Sequence, residues 1–283
     1  MTSEHAITVD GVRQVFHVAG AGPICVAHPA GPGVDYAYLR SPELEDQFTM
    51  AYVEPVGTGA SGRLPDPAGY RPETYVRFLD ALIGHLRVPS VFLLGHSYGG
   101  VVAQLYTLAH PERVAGLALY STSPIAGPEF TTAAMTNLAA YPASFPHTPE
   151  AAAASLALTR ALAATDDETL TDYLRRAMPV FFEDYWAHRL EFTSFVKSVR
   201  AWAVPSKARE SLAFDLRDDL HRITVPTIVM TGLYDFVCGP RWARMLHAGI
   251  TNSQLAIFEN SGHLAHVEQP ADFALAMAAR LLS

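Results

Sequence analysis

Cysteine is scarce in this chain: Cys25 and Cys238 are the only two in 283 residues. Two thiols cannot build a disulfide framework, and a reducing, cytoplasmic setting is expected rather than secretion. Positive charge is also sparse. Lysine occurs only at Lys197 and Lys207, and 20 Lys plus Arg against 28 Asp plus Glu leave a formal net charge of -8. That balance argues against nucleic acid or an anionic membrane as the main partner. Long apolar runs are missing too. The most membrane-like window, residues 151–164, contains Arg160 and is too short to span a bilayer. Met1–Ala6 shows no basic stretch followed by an apolar one, so no secretory signal is expected. The 12 histidines include no His-Glu-x-x-His, and His263-Leu-Ala-His266 alone offers too few ligands for zinc. Neither a metal nor a cofactor is expected.

What is present is an ordinary globular composition, 49% hydrophobic and 17% charged. A chain of this length can bury about three quarters of its unfolded surface, enough for a large core with a lid. Asp10-Gly11 separates two β-like segments, Ala6–Val9 and Val12–Val18, as a hairpin would. Further strands are read at Ile24–Ala27, Phe48–Val53 and Val114–Tyr120, and at Thr224–Thr231 and Gln254–Phe258. Helical patterns fall between them at Tyr36–Gln47 and Glu73–Leu86, and a closing helix at Ala271–Leu282. Alternating strands and helices with nearly continuous apolar strands indicate an α/β fold, a mostly parallel sheet covered on both faces. From Pro124 to Asp215 the pattern turns to alanine, aromatics and helix formers with no convincing strand. The expected division is therefore a first core part at 1–123, an inserted helical cap at 124–215 and a second core part at 216–283.

The chemistry concentrates at Val91-Phe-Leu-Leu-Gly95-His96-Ser97-Tyr98-Gly99-Gly100. A bare Gly-x-Ser-x-Gly arises by chance in roughly one chain in ten of this length. Here apolar β-formers precede it and a helical stretch follows, which is the context of a nucleophile elbow. Such a sharp turn exposes the Ser97 hydroxyl and aims backbone N–H groups at the same point. A nucleophilic serine needs a base and a carboxylate to orient that base. Asp235 follows the strand ending near Thr231, and His263 follows the last strand, in the order Ser, Asp, His. Asp215, Asp218 and Asp219 sit in a polar stretch and read as solvated. His96 reads as packing behind the turn, with His266 a nearby decoy. For the oxyanion, one donor is the Tyr98 N–H. The second is Ala30 or Gly31, in the small-residue loop after Cys25-Val-Ala27.

The Gly31-Pro32-Gly33 loop, Gly-His-Ser-Tyr-Gly-Gly, Gly232-Leu-Tyr-Asp235 and Ser261-Gly-His263 together resemble capped α/β-hydrolases, particularly the proline iminopeptidase-like branch. The likeness covers nearly the whole chain outside the cap. It implies an α/β-hydrolase fold and acyl-enzyme chemistry at Ser97, Asp235 and His263. Two departures stand out: His28 lies one position earlier than in that branch, and Tyr98 replaces the usual tryptophan after the nucleophile. The branch holds a substrate amino terminus with cap carboxylates, for which Glu183, Asp184 and Glu191 are candidates by location. Among the cap aromatics Phe181, Phe182, Tyr185, Trp186, Phe192, Phe195 and Trp202, most read as core packing. One or two, Trp186 among the candidates, are expected to line an apolar pocket.

Gly57-Thr-Gly59-Ala-Ser-Gly62 fits a dinucleotide fingerprint, but Pro65 and Pro67 oppose a helix opening at the glycines, so the turn reads as structural. Cys238 reads as a small buried filler. The expected function is hydrolysis of an ester or amide bond of a small molecule. The alternatives are release of N-terminal proline and a receptor-like protein with negligible turnover. The oligomeric state is not written in the sequence.

Overall fold

The computed structural model describes residues 2–31, 33–204 and 213–283. Strands β1 (Ser3–Val9) and β2 (Val12–Gly20) form the expected hairpin, with Asp10 and Gly11 at φ 51° and 78°. Both turn residues thus adopt the left-handed backbone that a two-residue hairpin loop requires. β3 (Ile24–His28), β4 (Thr49–Glu54), β5 (Val91–His96), β6 (Val114–Tyr120), β9 (Thr227–Gly232) and β10 (Ser253–Phe258) run parallel to one another. With β1 and β2 they make an eight-stranded sheet of order β1-β2-β4-β3-β5-β6-β9-β10. The chain moves outward from β3 to β4 on one side and from β5 to β6 on the other. The carboxyl ends of β3 and β5 therefore flank a topological switch point, where open α/β sheets place their ligands.

The parallel strands alternate between two cores. Leu93, Leu117 and Leu119 face α2 (Pro72–His85), α3 (Tyr98–Ala109) and the helix Pro240–Gly249, while Leu94, Ala118 and Tyr120 face the opposite side. There Phe273, Ala274 and Met277 of the helix Pro270–Leu281 cover them. Each large apolar side chain fully withdrawn from water in this way contributes about 1.5–3 kcal/mol.

The expected continuous helix at Tyr36–Gln47 is broken in two. A 3-10 turn spans Tyr36–Leu39, and the short α1 occupies Pro42–Glu45. Pro42 has no N–H to continue the first turn, and the Ser41 hydroxyl oxygen accepts from Leu44 N–H to start the second. Between β6 and β9 lies a helical insert: α4 (Pro128–Ser144), α5 (Pro149–Ala163), α6 (Asp167–Ala177), a 3-10 turn at Met178–Phe181, and α7 (Arg189–Ser198). Two short strands were not legible there. β7 (Ile125–Ala126) and β8 (Phe214–Asp215) pair antiparallel and join the two ends of the insert.

Candidate active site

Ser97 follows β5 and stands at the N-cap of α3, at φ 54° and ψ -119°. A non-glycine residue holds that backbone at a cost of about 1–3 kcal/mol, so the surrounding structure must enforce it. Ser97 N–H donates to Tyr120 carbonyl at 2.9 Å, and Ser97 carbonyl accepts from the Thr122 hydroxyl at 2.7 Å. Neighbouring glycines let three backbones converge. A Cβ on Gly95 would lie 2.6 Å from Gly100 Cα, and one on Gly99 would lie 2.5 Å from Pro29 carbonyl. The elbow is thereby pressed against the loop that follows β3.

Asp235 and His263 come from the loops after β9 and β10. Their side chains are almost fully buried, with Asp235 Oδ2 2.8 Å from His263 Nδ1. Asp235 Oδ1 accepts from the N–H groups of Val237 and Cys238, both at 2.9 Å. Burial opposes ionisation of this carboxyl. The charge and hydrogen bond of His263, with the two backbone donors, outweigh that and hold it below the usual carboxylate range. Ser97 and His263 both line a cavity of about 560 Å³, together with Ala30, Gly31 and Tyr98. Cys238 is buried and its thiol is pushed up by burial, so it is no ready nucleophile.

A polar network beneath these loops was missed in the sequence. Ala30 N–H donates to the Tyr38 hydroxyl at 2.7 Å, and that hydroxyl lies 2.6 Å from His96 Nδ1. His96 Nε2 is 3.1 Å from the carbonyl of His263. A carbonyl can only accept, so Nε2 carries the proton, Nδ1 is bare and the Tyr38 hydroxyl donates to it. Burial pushes His96 well below the usual imidazole range, consistent with this neutral form. The chain Ala30–Tyr38–His96–His263 thus couples the loop after β3 to the histidine loop. His266 is buried beside it, with Nε2–H donating to the Tyr38 carbonyl at 2.8 Å.

The insert is bonded to the same machinery. His263 N–H donates to Phe181 carbonyl at 2.7 Å. The Glu268 carboxylate accepts from Glu183 N–H at 2.6 Å and from Gly262 N–H at 2.8 Å. Burial raises the Glu268 carboxyl to about 7 against these two bonds. On the other side Trp202 N–H donates to Gly33 carbonyl at 2.7 Å, and Asp35 N–H to Arg200 carbonyl at 3.0 Å.

The cap residues nominated for substrate contact are elsewhere. Glu191 is exposed beside His188, and Glu183 meets Glu268 through its backbone. Trp186 donates its indole N–H to the Tyr141 hydroxyl and faces a separate, smaller depression. None of the three lines the cavity that holds Ser97. Glu183 and Trp186 lie in the irregular stretch between the 3-10 turn and α7, and Glu191 sits on an outward face of α7. Phe181 and Trp202 do line it. Pro32 lies outside the described residues. Among the described residues no group of three or more His, Cys, Asp or Glu is arranged to hold a metal ion. No helix among them is long and apolar enough to cross a membrane.

Residues 26–270 match the family described as alpha/beta hydrolase fold. A proline iminopeptidase of Lactobacillus acidophilus is 27% identical over 263 residues, covering 89% of this chain and 87% of the relative. A 2-hydroxy-6-oxononadienedioate/2-hydroxy-6-oxononatrienedioate hydrolase of Cupriavidus pinatubonensis is 28% identical over 269 residues, covering 90% and 85%. Among solved structures, an esterase from Exiguobacterium antarcticum superposes with a TM-score of 0.71 at 23% identity, covering 98% of each chain.

Proposed function

The chain belongs to the alpha/beta hydrolase fold family, and from that premise we propose that it is a serine hydrolase cleaving an ester or amide bond of a small molecule. The observation that carries this reading is the 2.8 Å contact of His263 with Asp235, in a pocket shared with a serine on a strained strand-to-helix turn. Ser97 Oγ attacks the substrate carbonyl carbon as His263 Nε2 takes its proton. The resulting oxyanion is received by the N–H groups of Tyr98 and Gly31. Ala30 N–H already donates to Tyr38, which favours Gly31 as the second donor. The carbon–leaving-group bond then breaks, His263 returns the proton to the departing atom, and the acyl group remains on Ser97. Water, deprotonated by His263, attacks the acyl carbon; the carbon–Oγ bond breaks, His263 passes the proton to Ser97 Oγ, and the acid is freed. Asp235 fixes the imidazole tautomer and stabilises its charged form. The helical insert acts as a cap over the sheet's carboxyl edge.

Losing one oxyanion donor typically costs about 3–4 kcal/mol of transition-state stabilisation, and proton transfer by a placed base is worth about 10²–10⁴-fold. Labelling with a small fluorophosphonate and hydrolysis of p-nitrophenyl acetate test the assignment. Both are expected in the native protein and lost in Ser97→Ala with the fold intact. Covalent labelling that persists in Ser97→Ala would overturn it. Release of N-terminal proline is a second reading, favoured by the likeness to the Lactobacillus enzyme. Proline p-nitroanilide run beside the ester separates the two.

A further inference from the structure

The lining of the cavity that holds Ser97 has a polar part and a larger apolar part. Ser97, His263 and the Ala30–Gly31 backbone make the first. The second is walled by the insert, with Leu138 from α4, Leu158 from α5, Leu170 and Leu174 from α6, and Met178 just after. Among the described residues no Asp, Glu, Lys or Arg contributes to the wall at all. The volume, about 560 Å³, is ample for a small organic molecule. A charge brought from water into such surroundings loses its hydration and meets no counter-ion among the described residues, which disfavours binding strongly. Hydrocarbon gains instead: each methylene buried there favours binding by about fourfold.

We propose that the substrate is an uncharged ester whose larger part is hydrocarbon, seated among α4, α5 and α6. Substrates bearing an ammonium or a second carboxylate at that end are rejected. The inference rests on the serine hydrolase reading and adds the substrate class to it. It separates this chain from an enzyme that must hold a free amino terminus. It separates it equally from one that takes a dicarboxylate.

The test is a matched set of p-nitrophenyl esters: acetate, butyrate, hexanoate and heptanoate, with 6-aminohexanoate and mono-adipate as charged counterparts of heptanoate. A parallel set varies the alcohol part of acetate esters in the same way. In at least one set kcat/KM is expected to rise about fourfold per methylene up to hexanoate. In that same set the charged counterparts should fall at least about 100-fold below heptanoate or its alcohol equivalent. A charged counterpart within threefold of its neutral partner in both sets would overturn the proposal. Leu174 is half-buried on the wall, so Leu174→Glu should narrow the gap between 6-aminohexanoate and heptanoate at least tenfold. An unchanged ratio would remove the insert as the seat. Because that readout is a ratio, partial loss of folded protein does not move it. If p-nitrophenyl acetate shows no Ser97-dependent turnover, the hydrolase reading fails by itself. The substrate class is then read from displacement of the neutral dye Nile red from Ser97→Ala. 2-Octanone should displace it and the terminal-amine analogue should not; equal displacement would sink the proposal.

Discussion

At the scale of single residues, the Tyr38 hydroxyl does the most for its size. It accepts from Ala30 N–H and donates to His96, whose other nitrogen supports the His263 carbonyl. Tyr38→Phe keeps the ring and removes both bonds, leaving a backbone N–H and an imidazole nitrogen without partners. An unsatisfied buried group costs about 1–3 kcal/mol. We expect kcat to fall roughly tenfold with KM little changed, since the loop proposed to meet the oxyanion loosens while the apolar wall stays; steady-state kinetics on a hexanoate ester check this. Equal kcat in Tyr38→Phe would show that the loop needs no such support. The sequence makes Ser97, Asp235 and His263 readable because each follows a strand inside a short signature. Tyr38 carries no signature. Its partners lie 8 and 58 positions away, and only the folded chain brings them together. Glu183, Glu191 and Trp186 illustrate the same limit from the other side, for charge and aromaticity alone do not say whether a residue falls in a turn or a helix, or which way it faces.

Among the elements, the junction between the insert and the histidine loop is the most tightly specified. Glu268 bridges Glu183 and Gly262, and a Cβ on Gly262 would stand 2.5 Å from Phe181 carbonyl. Glu268→Ala strands two N–H donors at this seam. Its melting temperature is expected to drop by several degrees, roughly the effect of 1–3 kcal/mol in a domain of this size. kcat should fall with it, because His263 N–H bonds to the same segment at Phe181. Calorimetry and ester kinetics on one preparation would show whether the two losses travel together. Strand positions were legible from apolar runs and turn residues, and the sheet's mostly parallel character from their alternation with helices. The order β4-β3-β5 was not, because pairing depends on side-chain packing between segments far apart in sequence. The broken helix at Tyr36–Leu39 and Pro42–Glu45 had a visible cause in Pro42, while β7 and β8 are too short to register as a pattern.

For the molecule as a whole, buried imidazoles set the response to acid. His28 and His266 are lowered from 6.5 to about 4 by burial, and His96 lies well below its ordinary range for the same reason. The folded chain keeps them neutral where the unfolded chain protonates them, so stability is lost as pH falls from 6.5 toward 4. Glu268 acts oppositely: raised from 4.5 to about 7, it holds a proton that the unfolded chain has released, and stability declines as pH rises across that interval. Near pH 5.5 the net effect is an uptake of roughly two protons on unfolding. Scanning calorimetry should show a nearly constant melting temperature above pH 7 and a steep decline below about 6.5. A flat profile from pH 7 to 5 would mean these rings are solvated.

The seams at Gly33–Trp202, Asp35–Arg200, Phe181–His263 and Glu183–Glu268 bear on how such a protein can diversify. Grafting a foreign segment in place of residues 124–215 would sever these bonds to the loops after β3 and β10 at once. New specificity is therefore more accessible by point changes on the inner surfaces of α4, α5 and α6 than by wholesale exchange, and a successful chimera would have to import the matching loops after β3 and β10 as well.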